Sequence, residues 1–124
     1  MSSDKAQFIQ QLNELAQEVY KELGGGYNES VYEHALAYEL RQAGIPYQRQ
    51  PTEEIIYKGE HVGDQSLDFR VGDLILELKA ARNISDTHRG QLHAYLNTAG
   101  FSEGLLINFP YPEKETVQIE RVNR

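Results

Sequence analysis

The sequence predicts an α/β fold with a mixed central sheet flanked by helices, and three observations predict it. Residues 4–23 carry Phe8, Leu12, Leu15, Val19 and Leu23 at steps of three and four, the period of a helix with one apolar stripe. "LDFRVGDLILELKA" (67–80) sets two alternating apolar runs about a Gly72-Asp73 pair, the pattern of a tight hairpin. "GLLINF" (104–109) is a short apolar run one helix length further on, as expected of a buried strand reached by a crossover helix and parallel to the strand before it.

The remaining elements follow in order. Gly24-Gly25-Gly26 ends the first helix. A second helix is expected over about 28–43, with Asn28 as N-cap and Gly44 as its stop. Ile45-Pro46 opens an extended region. "EEIIYK" (53–58) reads as a strand, followed by a turn near Gly59-Glu60 and a strand that ends at Val71. After the strand Leu74–Ala80, Ser85 or Asp86 can cap a helix that reaches about Asn97 and stops at Ala99-Gly100. "TVQIERV" (116–122) alternates and suggests a last edge strand. The expected order is α-α-β-β-β-α-β-β. Residues 1–124 show no repeat, linker or low-complexity tract, so a single domain is expected.

Composition narrows the class. Hydrophobic residues make up 40% and charged residues 25% of the 124, ordinary globular usage that argues against disorder. No apolar run approaches the roughly 20 residues of a membrane span, and MSSDKAQ has no secretory pattern. Cysteine is absent, which removes disulfides and thiolate metal sites. A cytoplasmic protein is expected. The net charge of -7 is a poor footprint for a general nucleic-acid binder, but acids gathered to hold a cation would count toward that total.

The hairpin carries the chemistry. With Gly72 and Asp73 central in the turn, Val71 faces Leu74, Arg70 faces Ile75, Phe69 faces Leu76 and Asp68 faces Glu77. One face is then apolar: Leu67, Phe69, Val71, Leu74, Leu76, Leu78 and Ala80. The other carries Ser66, Asp68, Arg70, Ile75, Glu77 and Lys79. It could be a solvated face. Yet Asp68 and Glu77 would stand about 4.5–5.5 Å apart, a repulsion of roughly 3 kcal/mol at an effective dielectric near 20. A divalent cation between them would reverse its sign, and Lys79 would project beside it, able to orient a water or stabilise developing negative charge. The crossover helix should cover this face or leave a cleft beside it.

Asp68 followed by Glu77-Leu78-Lys79 resembles the D-x8-E-x-K signature of the PD-(D/E)xK, restriction-endonuclease-like nuclease superfamily, with Leu67 in place of the proline. "GYNESVY" holds Gly26-x-x-Glu29-x-x-Tyr32, which resembles the motif of the GxxExxY family, and "GQLHAYL" holds Gln91-x-x-x-Tyr95, similar to the Q-x-x-x-Y element of its exonuclease-like branch. The resemblance spans about residues 8–122. It implies a restriction-endonuclease-like αβββαβ core with an additional N-terminal helix, and a Mg2+- or Mn2+-dependent phosphodiesterase site. Asp68 and Glu77 would bind metal with the Leu78 carbonyl, Glu29 would reach it from the first turn of its helix, Lys79 would assist the nucleophile, and Gln91 and Tyr95 would border the site. An all-oxygen ligand set suits a hard cation.

Each residue also has a structural reading. Glu29 can be a first-turn acid that favours the helix dipole, Tyr32 a packing residue, Gln91 and Tyr95 partners in a structural hydrogen bond, and His88 a cap or a phosphate contact. His34, His61 and His93 share no ligand spacing, so a zinc site is not expected. Arg49, Lys58, Arg70, Arg82 and Arg89 could form a modest phosphate rim or be scattered surface charge. No P-loop, G-x-S-x-G or Cys/His nucleophile arrangement is present. Two functions compete: a metal-dependent nuclease acting on DNA ends, single strands or branched forms, and a catalytically inactive module of the same fold that binds nucleic acid or a protein partner. A homodimer through the first helix or an edge strand is compatible with either.

Overall fold

The computed structural model of the chain describes residues 2–124. Helix α1 (Ser2–Leu23) and α2 (Glu29–Gln42) come first, then strands β1 (Gln48–Arg49), β2 (Thr52–Tyr57), β3 (Glu60–Ser66), β4 (Phe69–Val71) and β5 (Leu74–Lys79). Helix α3 (Asp86–Ala99) crosses over to β6 (Glu103–Asn108), and β7 (Gln118–Asn123) closes the order. The central sheet runs β1-β4-β5-β6-β7, with β5 and β6 parallel and the other neighbours antiparallel. The expected mixed sheet and crossover are therefore present.

Two layers of helix cover the sheet because its strands are apolar on both faces. Phe69, Val71, Leu74, Leu76 and Leu78 share one cluster with Leu105, Ile107 and Phe109 of the next strand and loop, and with Leu12, Ala16 and Val19 of α1 and Leu36 and Leu40 of α2. On the opposite face Ile75 and Leu106 pack under Leu92, Tyr95 and Leu96 of α3. The α3 approach is close. A Cβ built on Gly104 would stand 2.9 Å from the Ile75 carbonyl oxygen and 3.0 Å from Leu92 Cδ1.

Three expectations change. The strand ending at Val71 is two strands: β3 leaves the central sheet and pairs only with β2, forming a separate antiparallel arm. Its distal side chains Ile55, Ile56, Tyr57 and Val62 stay exposed, so no core holds that end in the main sheet. The place beside β4 goes to β1, two residues too short to leave an alternating signature. Leu67 is the third: it lies between β3 and β4 and packs with Ile75 under α3, not with Phe69. The turn register itself is as read, with Val71 opposite Leu74, Arg70 opposite Ile75 and Phe69 opposite Leu76.

The caps fit the local sequence. Asn28 is the N-cap of α2, its side chain accepting from Ser30 N–H. Ser85, not Asp86, caps α3. Gly100 ends that helix in the left-handed region at φ 78°, where a side chain would be strained.

Candidate active site

The site forms where β5 ends. Leu74, Leu76 and Leu78 point to the α1/α2 layer, so Ile75, Glu77 and Lys79 must point to the α3 side. Ile75 lies wholly buried under α3, whereas Glu77 and Lys79 are only partly covered. Their side chains keep 12% and 14% exposure, with Lys79 Nζ 3.3 Å from Glu77 Oε2. That little exposure separates them from a solvated strand face.

Asp68 reaches the same point from just outside β4. Its Oδ2 accepts the Leu78 N–H at 2.7 Å, and Glu77 is the neighbouring carboxyl that acts on it. Burial pushes the Asp68 carboxyl up to about 9, reinforced by the neighbouring Glu77 and, from further away, Glu33. The Leu78 N–H works in the other direction but does not outweigh two nearby acids in a poorly solvated place. In the absence of a cation, the Asp68/Glu77 pair therefore gives up its last proton less readily than an ordinary carboxylate.

The surrounding backbone fixes this cluster. Gln50 N–H donates to the Asp68 carbonyl at 2.8 Å, and Leu67 N–H donates to the Pro51 carbonyl at 3.2 Å. Tyr95, buried under the sheet, donates its hydroxyl to that Pro51 carbonyl at 3.0 Å. Tyr95 therefore does not join the carboxylates; it anchors the segment that carries Asp68. Gln91 is exposed, and its main-chain carbonyl accepts from Gln65 Nε2 at 2.9 Å. The Gln91/Tyr95 pair thus ties the β2–β3 arm to α3.

Glu29 opens α2 beside the site. With Tyr27, Asn28, Ser30 and Ala80 it lines an open groove of about 500 Å³ that reaches the end of β5. Tyr32 of the same motif is buried; it stacks on Phe109 with ring centroids 4.3 Å apart and donates its hydroxyl to the Gly24 carbonyl at 2.7 Å. Its part is to hold the glycine bend that leads into α2.

Three residues matter more than the sequence signalled. Glu33 is buried and bonded to Arg49, whose Nη2 lies 2.6 Å from Glu33 Oε1. Its signal was a spacing of four from Glu29, which puts both acids on one helix face. Asn108 sits beside Lys79 in the parallel register. Its amide bonds both ways to Ala81, accepting from the N–H at 2.8 Å and donating to the carbonyl at 2.9 Å. A polar residue closing an apolar strand was its signal. His88 is half-buried in the first turn of α3, where Lys79, Glu29, Glu77 and Arg89 are the charges that act on it. Burial and Lys79 hold its imidazole below the usual range.

The phosphate rim is mostly engaged elsewhere. Arg49 holds Glu33, Arg89 holds Glu120 and Asp86, Arg70 lies over the Phe101 ring at 4.9 Å, and Lys58 lies over Tyr57 on the arm. Arg82 is exposed. His34, His61 and His93 do not gather, but His61 meets Glu54 and Asp64 on the arm, with ligand atoms within 4.8 Å of one another and all three residues exposed. Among the described residues no helix is long and apolar enough to cross a membrane.

Comparison with known proteins bears on the family and the fold. The sequence model of the PD-(D/E)XK nuclease superfamily matches residues 6–122. No curated protein sequence matches the chain. Among solved structures, SSO0001 superposes with a TM-score of 0.60 at 16% identity, over 77% of this chain and 49% of that one; the chain thus spans about half the length of that protein. The alkaline exonuclease LHK-Exo from Laribacter hongkongensis superposes at 0.56 with 15% identity, over 90% and 68% of the two chains. A phage-related exonuclease from Haemophilus somnus 129PT gives 0.51 at 9% identity, over 91% and 71%. At such identities the likeness is one of fold.

Proposed function

The chain belongs to the PD-(D/E)XK nuclease superfamily, and we propose on that premise that it is a divalent-metal-dependent nuclease that hydrolyses DNA phosphodiester bonds at ends, single strands or branched forms. One observation carries this reading: two carboxyls, Asp68 and Glu77, converge beside Lys79 in a barely exposed place, where Asp68 holds its proton up to about 9. Such a pair is uncomfortable without a cation and becomes favourable around one.

The donors suit Mg2+ or Mn2+. They are hard oxygens without thiolate or imidazole at the centre. Asp68 and Glu77 would hold the ion, with the Leu78 carbonyl and Glu29 as further ligands. The chemistry such an ion supplies is neutralisation of phosphate charge and a more acidic bound water. Lys79, drawn toward Glu77, can orient the attacking water or stabilise negative charge as it develops on the phosphate. Asn108 holds the backbone just past Lys79 and so limits its wander. Tyr95, through Pro51, does the same for Asp68. The exonuclease neighbours support the emphasis on strand ends.

The test is cleavage of end-labelled single- and double-stranded DNA in Mg2+ and in Mn2+, wild type against Glu77→Ala and Lys79→Ala. Metal-dependent products from wild type, reduced in each variant by at least about 100-fold, as for loss of one charge-stabilising group, are expected. Equal cleavage by all three refutes the roles given to Glu77 and Lys79, and none by wild type across metals and substrates leaves the second reading: a module of the same fold that binds without chemistry. The engaged arginines and the net charge of -7 favour that second reading. Metal titration separates the two, since only a catalytic centre needs an ion that Asp68→Asn abolishes.

A further inference from the structure

We propose that His88 is a substrate-contacting residue that donates its Nε2–H to a phosphate oxygen at the reacting centre or next to it. The inference rests on the nuclease reading of the site. It begins from the helix cap. Ser85 Oγ accepts the His88 N–H at 3.2 Å, and the Ser85 N–H donates to His88 Nδ1 at 3.2 Å, so the two residues form a capping box. Glutamate or glutamine ordinarily fills the position that histidine takes here.

Histidine does something there that glutamate cannot. Because Nδ1 accepts a backbone N–H, it carries no proton, and the proton of the neutral ring must sit on Nε2. The cap therefore fixes the tautomer. Among the described residues nothing bonds to Nε2, and the ring is only half-buried, which leaves one directed donor free. His88 lies four and seven residues before Leu92 and Tyr95, on the side of α3 that packs against the sheet, in the turn of the helix that follows the end of β5, where Glu77 and Lys79 face α3. With Arg49 and Arg89 committed to carboxylates, few other side chains there are able to donate to a phosphate. A neutral donor also avoids placing a second cation beside Lys79.

The test separates capping from contact. Glutamine keeps the cap and offers an N–H; glutamate keeps the cap and offers only acceptors. Thr87→Glu adds the same charge one exposed position away. The chain with Ca2+ and a fluorescein-labelled single-stranded 12-mer gives affinity by anisotropy, Mn2+ gives turnover, and thermal unfolding gives stability. The expected result is an unchanged midpoint for His88→Gln and His88→Glu, with affinity reduced about 10- to 100-fold in His88→Glu, the worth of a hydrogen bond to a charged oxygen. His88→Gln should lose at least tenfold less than His88→Glu, and Thr87→Glu should lose under about threefold, as for an exposed charge. Equal affinity of all variants, or equal losses in His88→Glu and Thr87→Glu, overturns the inference. A wild type that binds and does not cleave refutes the nuclease reading alone, because the affinity ranking still decides the role of His88.

Discussion

Raising the pH should tighten metal binding at this centre, and Asp68 sets by how much. A carboxyl held up to about 9 is protonated at pH 7.5, and ionising it there costs about 2 kcal/mol, at 1.36 kcal/mol for each of 1.5 pH units. A cation that takes Asp68 as a ligand must displace that proton. One proton released per ion means that affinity rises about tenfold per pH unit below 9, or about 100-fold between pH 6.5 and 8.5. Isothermal titration with Mn2+ in two buffers of different ionisation enthalpy counts the protons directly. Asp68→Asn should abolish the binding. The same raised value has an opposite consequence for the metal-free fold. Between the ordinary aspartate range and about 9 the folded chain holds one proton more than the unfolded chain, so stability falls as pH rises through that window, and Asp68→Asn should flatten the fall. Proton release near zero together with pH-independent affinity would refute the placement of Asp68 against Glu77.

Asn108→Ala strips the partner from the Ala81 N–H and leaves the Ala81 carbonyl only the Tyr111 N–H at 3.4 Å, and should destabilise by about 1–2 kcal/mol in urea unfolding, the cost of one unpaired, part-buried donor. It should also lower turnover at temperatures where the variant is still folded. Gly104→Ala drives a methyl against Ile75 and Leu92 and should cost about 1–3 kcal/mol by the same measurement, as overpacking does. Glu33→Gln leaves Arg49 without its anion. Because that arginine is one-third exposed, the loss should fall below the 3–5 kcal/mol of a fully buried pair, at about 2 kcal/mol.

Much of the fold was legible because it is local. The turn at Gly72-Asp73 fixes the register by itself, and the alternation of β5 then puts Glu77 and Lys79 on the face opposite Leu76 and Leu78. The crossover into "GLLINF" needed only an apolar run after a capped helix. What escaped depends on tertiary context. β1 is two residues long and owes its place to β4. The β2–β3 arm reads like any meander until nothing is found to bury Ile56 and Tyr57. Leu67 obeys alternation with Phe69 on paper, but the chain leaves the strand at Leu67-Asp68, and the side chain turns under α3. At the site, the convergence of Asp68, Glu77 and Lys79 was readable from spacing. The anchoring role of Tyr95 was not, because its partner, the Pro51 carbonyl, lies 44 residues away. Glu33 and Arg49 likewise meet across α2 and β1, a contact that no periodicity encodes.

The central claim is that Asp68 and Glu77 form a metal centre served by Lys79. Anomalous diffraction from a crystal soaked in Mn2+ tests it most directly. The account predicts a peak within coordination distance of both carboxylates, at roughly 2.0–2.4 Å as for hard oxygen ligands. A peak only at Glu54, His61 and Asp64 on the arm, or none at all at saturating Mn2+, would contradict it.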